Sequence, residues 1–384
     1  MIAQPEPLRA PYAIATQRPR VVLTRSLDGW ILGAALLLLG LGLVMVFDAS
    51  FFIGQERYGN PYALVRRHVA FLVAGLALAA LVLRIDARRL ERWAYPAALL
   101  AIALVALSVI PGIGQVRGGA RRWLSLGILA FEPSELLKPA FVLYLARSLV
   151  RKRERLDDFA YGVLPHLVVA AVPIALLLVQ PDFGAAMVIG VLTIGMLFAA
   201  GARPLHLGAL SAAALPGVFA LVWWKPYRWA RLVAFLDPWS DAERGGFQLV
   251  QSLIAFGSGG LLGVGLGNGK QKLFYLPEGH TDFIFALVGE ELGLAGAIAV
   301  LVCFAVIGLR GFRVAARLTD PFARLVAFGL TFLLVTQATM NVGVVLGLLP
   351  TKGLPLPLVS YGGSSMLATV ATVAMLVGLS REAR

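Results

Sequence analysis

The chain has 384 residues, of which 59% are hydrophobic and only 14% are charged. Soluble globular domains carry about a quarter charged residues, so this composition excludes a water-soluble domain and indicates a chain that folds in a lipid bilayer. The formal net charge is +13, but in a membrane protein the placement of charge matters more than its sum. The single cysteine, Cys303, lies in an apolar run and excludes an internal disulfide.

Ten apolar runs approach the length of about 20 residues that a helix needs to cross a bilayer. They predict one continuous all-α bundle with a tail at 1–29, a single membrane domain at 30–380 and a short end at 381–384. The first run follows a basic stretch, as in a signal peptide, but it is too long and lacks a clear cleavage site, so we interpret it as a retained helix. The predicted spans are 30–53, 68–84, 94–111, 134–150, 160–179, 183–202, 205–224, 283–309, 322–348 and 362–380.

Lysine and arginine are more frequent in the segments on the side of the two termini than in the loops opposite. By the positive-inside rule, this excess places both termini in the cytoplasm. The outer loops at 112–133 and 225–282 nevertheless hold many cations, and the second is the longest segment between spans. Its tryptophans and apolar residues argue against disorder and favour a functional loop. Its amphipathic stretch QLVQSLIAFGSGG is predicted to lie along the membrane interface.

The run HTDFIFALVGEELG enters the eighth span from this loop. By itself, the Thr281–Asp282 pair favours helix capping, with Thr281 as the cap and Asp282 in the first turn. Glu290 and Glu291 follow about 12 Å deeper along a helix. Ionisable side chains at membrane depth are costly, so we expect these two glutamates to be functional or paired.

The run FEPSELLKP opens the fourth span, with Pro133 suited to its first turn. Glu135 and Lys138 are three residues apart, so they share a helix face and can form an ion pair. Two interpretations remain open from the residues: the pair fixes helix packing, or it lines a polar cavity.

The run GGARRW places Arg121 and Arg122 beside glycines in an outer loop. Guanidinium groups bind phosphate oxygens in a bidentate manner, which suits an anionic ligand. The alternative is a belt of cations that snorkel to the membrane surface.

The run KGLPLPLVSYGGSS precedes the last span and breaks regular structure with its prolines and glycines. Irregular backbone near membrane depth is tolerated where it is buried in protein or lines a cavity.

Asp182, in the run QPDFG, adds a carboxylate at another break. The glycines of GNGK do not follow a strand, which argues against nucleotide binding. The four histidines are scattered and predict no metal cluster.

Carboxylates, cations and broken backbone thus gather at the outer ends of helices. This pattern suits an anionic substrate that is reached from the membrane and the exterior together, and a phosphate-bearing lipid fits it. The residues alone name neither the lipid nor the reaction.

The longer motifs resemble the SEDS family of peptidoglycan polymerases. The resemblance is carried by PYRWARLVAFLDPWSD, by GNGKQKLFYLPEGHTDFIFALVGEELG, by NVGVVLGLLPTKGLPLPLVSYGGSS and, upstream, by GGARRWLSLG, EPSELLKPAFVLYLA and QPDFGAAMV. It covers essentially the whole chain from the first span onward and is closer to the septal branch, FtsW, than to the elongation branch, RodA. It departs at VMVFDAS, where the family more often has a serine in place of Asp48.

The resemblance implies a SEDS-type bundle of about ten transmembrane helices, with a long extracytoplasmic loop before the eighth. It implies a glycosyltransferase of the bacterial inner membrane that polymerises lipid II by inverting transfer at the division septum. The essential aspartate of the family falls on Asp282, the expected general base, and a helix N-terminus is expected to favour its ionised form. Arg121, Arg122 and Lys138 are expected to stabilise the departing pyrophosphate. The full set of expected substrate-binding residues is Arg121, Arg122, Glu135, Lys138, Lys272, His280, Lys352, Ser360 and Ser364.

A divalent cation, Mg²⁺ or Mn²⁺, is left open as a cofactor. The expected partners are lipid II, a class B penicillin-binding transpeptidase and the membrane proteins of the divisome, with no nucleic acid. Three rivals stay open: a flippase that moves lipid II outward, the same polymerase chemistry in elongation, and a scaffold for division proteins. A flippase needs a polar path through the whole bilayer, and the cytoplasmic half of this sequence offers few buried charges.

Overall fold

The computed structural model describes residues 27–117, 119–126, 129–242 and 245–383. Most of the tail predicted at 1–29 lies outside these residues. The described chain is helical except for one small sheet and the connecting segments. Its elements are α1 (Gly29–Tyr58), α2 (Ala63–Val82), α3 (Ala87–Val109), β1 (Gly114–Arg117), β2 (Ala120–Leu126), β3 (Leu129–Phe131), α4 (Pro133–Arg151), α5 (Leu164–Val179), α6 (Phe183–Ala199), α7 (Pro204–Trp223), α8 (Pro226–Leu236), α9 (Phe247–Gly259), α10 (Ile284–Glu291), α11 (Gly293–Arg317), α12 (Pro321–Val345) and α13 (Gly363–Ser380).

Eight helices in the described part of the chain are long and apolar enough to cross a membrane. They are α1, α2, α3, α5 with the π-helical turn before it, α7, α11, α12 and α13. The apolar helix α6 is slightly shorter at 17 residues, and α4 has 19 residues but carries the charged pair described above. With α4 and α6, these helices occupy the ten predicted runs, and the multi-pass helical fold is confirmed.

The first and last spans are joined at one face of the bundle. The Asp28 backbone N–H donates to the Ser380 hydroxyl at 3.1 Å, and the Arg310 guanidinium forms two hydrogen bonds with the Asp28 carboxylate. We call this side the terminal face. Because successive spans alternate in direction, the sheet and the described residues of 224–242, 245–283 and 346–362 all lie on the opposite side, the loop face.

Helix α12 forms the centre of the bundle, where it packs against α4, α6, α11 and α13. Its span is 72% buried, whereas the span of α7 is only 6% buried and leaves its surface to lipid. Gly329 permits the close approach of α4 and α6 to α12, because a Cβ atom there would lie 2.6 Å from Val142 and 2.9 Å from the sulfur of Met196. Small residues at crossings are how membrane helices gain packing contacts.

The span predicted at 283–309 is broken in two rather than continuous. Gly293 has a φ of 67° at the break, and a Cβ atom there would lie 2.3 Å from the Gly263 nitrogen. The glycine-rich loop before α10 lies against the break and forms hydrogen bonds with the backbone groups that the break leaves without helical partners. The Val264 N–H, for example, donates to the Glu290 carbonyl at 3.0 Å. The prediction of one helix was wrong because this loop replaces the missing helical hydrogen bonds.

The outer loop predicted at 112–133 forms a three-stranded antiparallel sheet in the order β1-β2-β3, which the all-α prediction missed. Residue pairs such as Gln115 with Trp123 and Leu124 with Phe131 set its register. The sheet packs on the loop-face ends of α3 and α4. Successive side chains of a strand point to opposite faces, so β2 separates its two neighbouring arginines.

Helix α9 contains the stretch predicted to lie along the membrane interface. Its buried side packs against α10 and α12, and the Ser252 hydroxyl donates to the Val345 carbonyl at 2.7 Å. Ile254 on the other side is 40% exposed. The stretch is amphipathic, as predicted, but one of its sides packs against α10 and α12.

Candidate active site

A cavity of about 810 Å³ opens on the loop face among the ends of α1, α2, α4, α6, α10 and α13. Five of the predicted site residues line it, and they come from four separate parts of the chain. They are Arg122, Glu135, His280, Asp282 and Ser364. The structure therefore gathers these five around one space.

Asp282 lies two residues before α10 and does not cap that helix, because Phe283 occupies the N-cap position without a side-chain hydrogen bond. The Thr281 hydroxyl instead donates to Glu278, at 3.1 Å to the carbonyl and 3.0 Å to the carboxylate. The capping interpretation is therefore wrong. The Asp282 carboxyl faces Gly353, where a Cβ atom would lie 3.1 Å from Oδ2, so that glycine makes room for it.

The pKa of Asp282 is raised to about 7, first by burial and then by the negative charge of Glu278, while Arg122 opposes the shift. The expectation that the helix N-terminus favours the ionised form is wrong for this carboxyl, because desolvation outweighs the helix dipole. A general base works best when its pKa is near the operating pH, so this raised pKa suits proton transfer at neutral pH.

Asn341 was missed by the sequence analysis, although a polar side chain in an apolar run is a signal. Its side-chain amide donates to the carbonyls of Asp282 and Leu354, each at 2.7 Å. It thereby ties the segment that carries Asp282 to the irregular segment before α13. In a low-dielectric site such hydrogen bonds are worth more than in water.

Arg122 is held rigidly at the cavity wall. Its guanidinium donates to the carbonyls of Gln180 at 3.3 Å and Pro181 at 3.1 Å. It also lies 4.0 Å from the carboxylate of Asp182. A preorganised cation of this kind can stabilise negative charge that develops in a reaction.

Glu132 is a second residue that the sequence analysis missed. It lines the cavity, and its backbone N–H donates to the Ser364 hydroxyl at 2.8 Å. Burial raises the pKa of its carboxyl to about 8, and the charges of Asp182 and Glu135 add to the shift. At neutral pH this wall of the cavity therefore carries less negative charge than its carboxyl groups suggest.

The Glu135–Lys138 ion pair is formed, with 2.7 Å between the ammonium and the carboxylate. Both side chains are buried, Lys138 almost completely at 1% exposure. Glu135 lines the cavity and Lys138 lies behind it. The pair thus serves both of the roles left open. The Glu135 carboxylate forms part of the cavity wall, and the Lys138 ammonium packs inside the bundle.

His280 presents its ring to the cavity and packs it against Tyr361, with 5.5 Å between the ring centroids. Burial lowers the pKa of His280 and favours the neutral imidazole.

Lys352 lines a second cavity of about 280 Å³, which shares Arg122 and Asp282 with the first. Burial lowers the pKa of Lys352 to about 8.

Lys272 was predicted to bind substrate, but the structure places it elsewhere. Its ammonium lies 2.6 Å from the Asp48 carboxylate and 2.8 Å from the Glu291 carboxylate, and it lines neither cavity. The carboxylates of Glu290 and Glu291 also accept backbone N–H groups of residues 267–271. We call this group, with Asp48 and Lys272, the charge cluster. Glu291 is ion-paired with Lys272, one of the two roles expected of the glutamates, and Glu290 is hydrogen-bonded to backbone N–H groups of the loop.

Ser360 and Arg121 also lie outside the cavity lining. The Ser360 hydroxyl accepts the Leu356 N–H at 2.8 Å and donates to the Thr281 carbonyl, which makes it a brace for the loop rather than a ligand. Arg121 points to the other face of β2 from Arg122. The cavity is instead lined by Arg57, from the loop-face end of α1, a cation that the sequence analysis did not single out.

In the described residues, no group of three His, Cys, Asp or Glu side chains is arranged to hold a metal ion. The divalent cation left open by the sequence analysis therefore has no ligand set of that kind in this part of the chain.

The family described as cell cycle protein, FtsW/RodA/SpoVE, matches residues 30–384. A protein of Geobacter sulfurreducens named probable peptidoglycan glycosyltransferase FtsW is 45% identical over 339 residues, which cover 88% of this chain and 91% of the relative. A protein of Halorhodospira halophila with the same name is 45% identical over 376 residues, covering 96% and 94%.

Two solved structures share the fold. One comes from work described as structural coordination of polymerization and crosslinking by a peptidoglycan synthase complex, with a TM-score of 0.76, 29% identity, and coverage of 93% of this chain and 98% of that chain. The other is the rod shape determining protein RodA of Thermus thermophilus, with a TM-score of 0.66, 29% identity and the same coverage.

Proposed function

The chain belongs to the FtsW/RodA/SpoVE family of cell cycle proteins, and on that premise we propose that it is a peptidoglycan glycosyltransferase that polymerises lipid II, with Asp282 as general base. Relatives that carry this name at 45% identity over most of both chains support the activity. The observation that carries the site is the position of Asp282, which lies on a wall shared by two cavities. A reaction between two lipid-linked substrates needs such a meeting point.

In the proposed reaction, the 4-hydroxyl of the acceptor sugar attacks the anomeric carbon of the donor. A glycosidic C–O bond forms as the bond between that carbon and the donor pyrophosphate breaks, so the configuration inverts to a β-1,4 linkage. Asp282 takes the hydroxyl proton. With a pKa of about 7, its carboxylate is about half populated at neutral pH and still basic enough to accept that proton.

Arg122 is proposed to stabilise the charge on the departing pyrophosphate. Two backbone carbonyls fix its guanidinium, which lines the same cavity as Asp282. Lys138 supports this wall from behind through Glu135. His280 and Ser364 are proposed to contact the sugars from the larger cavity.

The flippase alternative is disfavoured by where the polar lining lies. The residues that line the two cavities belong to the sheet, to the connecting segments of the loop face and to the loop-face halves of helices. Towards the terminal face, the described core contains fully buried apolar side chains such as Leu145, Leu330 and Leu376. A headgroup that crossed the bilayer would need polar partners there.

We place the protein in the bacterial inner membrane, with both termini in the cytoplasm and the loop face outside, and its reaction at the division septum. The FtsW relatives support a septal role over an elongation role. A class B penicillin-binding transpeptidase and other divisome membrane proteins are the proposed partners. The similarity to a chain of a peptidoglycan synthase complex supports the first of these.

The experiment is polymerisation of lipid II by purified Asp282→Asn protein. We expect the rate to fall by about 10²–10⁴-fold, the usual contribution of a general base. Asp241→Asn, at an exposed carboxylate of the same loop, is the matched control and should keep the parent rate. Thermal unfolding shows that each variant is folded. Full polymer yield from Asp282→Asn would refute the assignment.

A further inference from the structure

A small pocket of about 70 Å³ adjoins the second cavity and is rich in positive charge. We call it the cation pocket. Its lining includes four cations, Arg122, Arg228, Arg231 and Lys352, and one carboxylate, Asp182. This volume holds several water molecules and therefore also suits a phosphate group.

Lys352 forms no ion pair in this pocket, whose one carboxylate, Asp182, lies 4.0 Å from the Arg122 guanidinium. Its ammonium lies 5.0 Å from the centre of the Phe183 ring and contacts the sulfur of Met187. No carboxylate of the described chain lies within 4.0 Å of it. The Arg228 guanidinium lies over the same ring at 5.4 Å. A desolvated cation without a paired carboxylate is expected to gain from binding an anion.

The cation pocket reaches Asp282 through the second cavity, which both Lys352 and Asp282 line. Gly353 follows Lys352 in the sequence and lies against the Asp282 carboxyl, since a Cβ atom there would lie 3.1 Å from Oδ2. An anion held by Lys352 would therefore lie beside the base. In glycosyl transfer, the donor pyrophosphate is attached directly to the carbon under attack. The acceptor pyrophosphate is separated from its attacking hydroxyl by a whole disaccharide.

The larger cavity has the complementary features. Its volume of about 810 Å³ lies in the range of pockets that hold extended ligands. Arg57 and Arg67 line it but not the second cavity, and neither has a carboxylate of the described chain within 4.0 Å. Arg67 stacks over Tyr58 at 5.2 Å, which holds its charge at the cavity mouth.

We propose that the two cavities sort the two substrates: the cation pocket binds the pyrophosphate of the donor, and the larger cavity binds the acceptor disaccharide, with its pyrophosphate at Arg57 and Arg67. This assignment rests on the proposed function, because it needs a transfer between two pyrophosphate-linked sugars. It makes Arg228, Arg231 and Lys352 specific to one substrate.

The test uses two lipid II analogues that allow a single transfer. One lacks the 4-hydroxyl and can only donate, and the other has a methylene in place of the anomeric oxygen and can only accept. Lys352→Met and Arg228→Gln should raise the KM for the donor about tenfold and leave the KM for the acceptor within twofold. Arg57→Gln and Arg67→Gln should do the reverse.

Two variants serve as matched controls for the loss of a positive charge. Lys270→Met and Arg66→Gln remove exposed cations of the loop face that line neither cavity, so both KM values should stay at the parent level. Farnesyl pyrophosphate carries the group that both sites are proposed to bind, so Lys352→Met should weaken its competition with the donor and Arg57→Gln its competition with the acceptor. The reversed pattern, or equal changes in both KM values, would overturn the assignment. A parent protein that forms no product would instead refute the proposed function.

Discussion

At the scale of single residues, the reactivity of Asp282 depends on its surroundings more than on its place in the chain. Burial and the Glu278 carboxylate raise its pKa to about 7, against the pull of Arg122. The more distant charges of Asp182 and Arg231 act in opposite directions. The same residue type in an exposed loop would be ionised at any physiological pH and too weak a base for this reaction.

The pH dependence of polymerisation follows from this pKa. Because the proposed base accepts the proton as a carboxylate, the rate should rise with pH through a midpoint near 7 and level off about one unit above it. Glu278→Gln removes a negative charge that disfavours the carboxylate, so the pKa of Asp282 should fall and the midpoint should move to lower pH by about one unit. Initial rates between about pH 5.5 and 8.5 measure this, with the exposed Glu154→Gln as control. An unmoved midpoint would contradict the electrostatic coupling.

At the scale of elements, the charge cluster joins the long loop to α1 and α10. Lys272 and Asp48 are 224 residues apart in the chain, and their pair brings the loop against the first span. Glu291 contributes a carboxylate that is 0% exposed. Buried carboxylates of this kind must be fully hydrogen-bonded, and the N–H groups of the loop supply those bonds.

Removing one partner should leave an uncompensated buried charge. Lys272→Met should therefore lower the free energy of unfolding by about 3–5 kcal/mol, whereas Lys270→Met, at an exposed side chain, should leave it unchanged. Thermal unfolding in detergent measures the difference. Below the unfolding temperature, the KM values for both substrates should match the parent. A stable Lys272→Met protein with a raised KM would instead restore the substrate-binding prediction.

At the scale of the molecule, the helices of the described chain separate a terminal face from a loop face that holds both cavities. The join between Asp28 and the end of α13 places the two ends of the described chain together. The substrate is expected outside the cytoplasm, so the proposed orientation puts the loop face on the outer side of the membrane. The weakly packed α7 and the amphipathic α8 border the cation pocket and face lipid.

Cysteine labelling tests this orientation. On a Cys303→Ala background, Ser240→Cys lies on the loop face and Glu154→Cys on the terminal face, both exposed. A membrane-impermeant maleimide added to intact spheroplasts should label only the first, and permeabilised cells should show both. Labelling of Glu154→Cys in intact spheroplasts would invert the proposed orientation.

The sequence by itself predicted the multi-pass helical membrane fold, which the eight membrane-capable helices of the described residues confirm. Apolar runs and charge counts are local properties, and the bilayer imposes its length on each run independently. The family motifs also singled out Asp282 as the base. These predictions needed no knowledge of which distant segments meet.

Only the tertiary structure decided which predicted residues share the site. Arg122 and Arg121 are neighbours in sequence, but strand geometry sends them to opposite faces. Lys272 faces Asp48, from the first span, rather than the cavity. The raised pKa of Asp282 and the division of the site into two cavities also depend on side chains far apart in the chain. Long-range packing sets burial and charge proximity, and no local pattern contains that information.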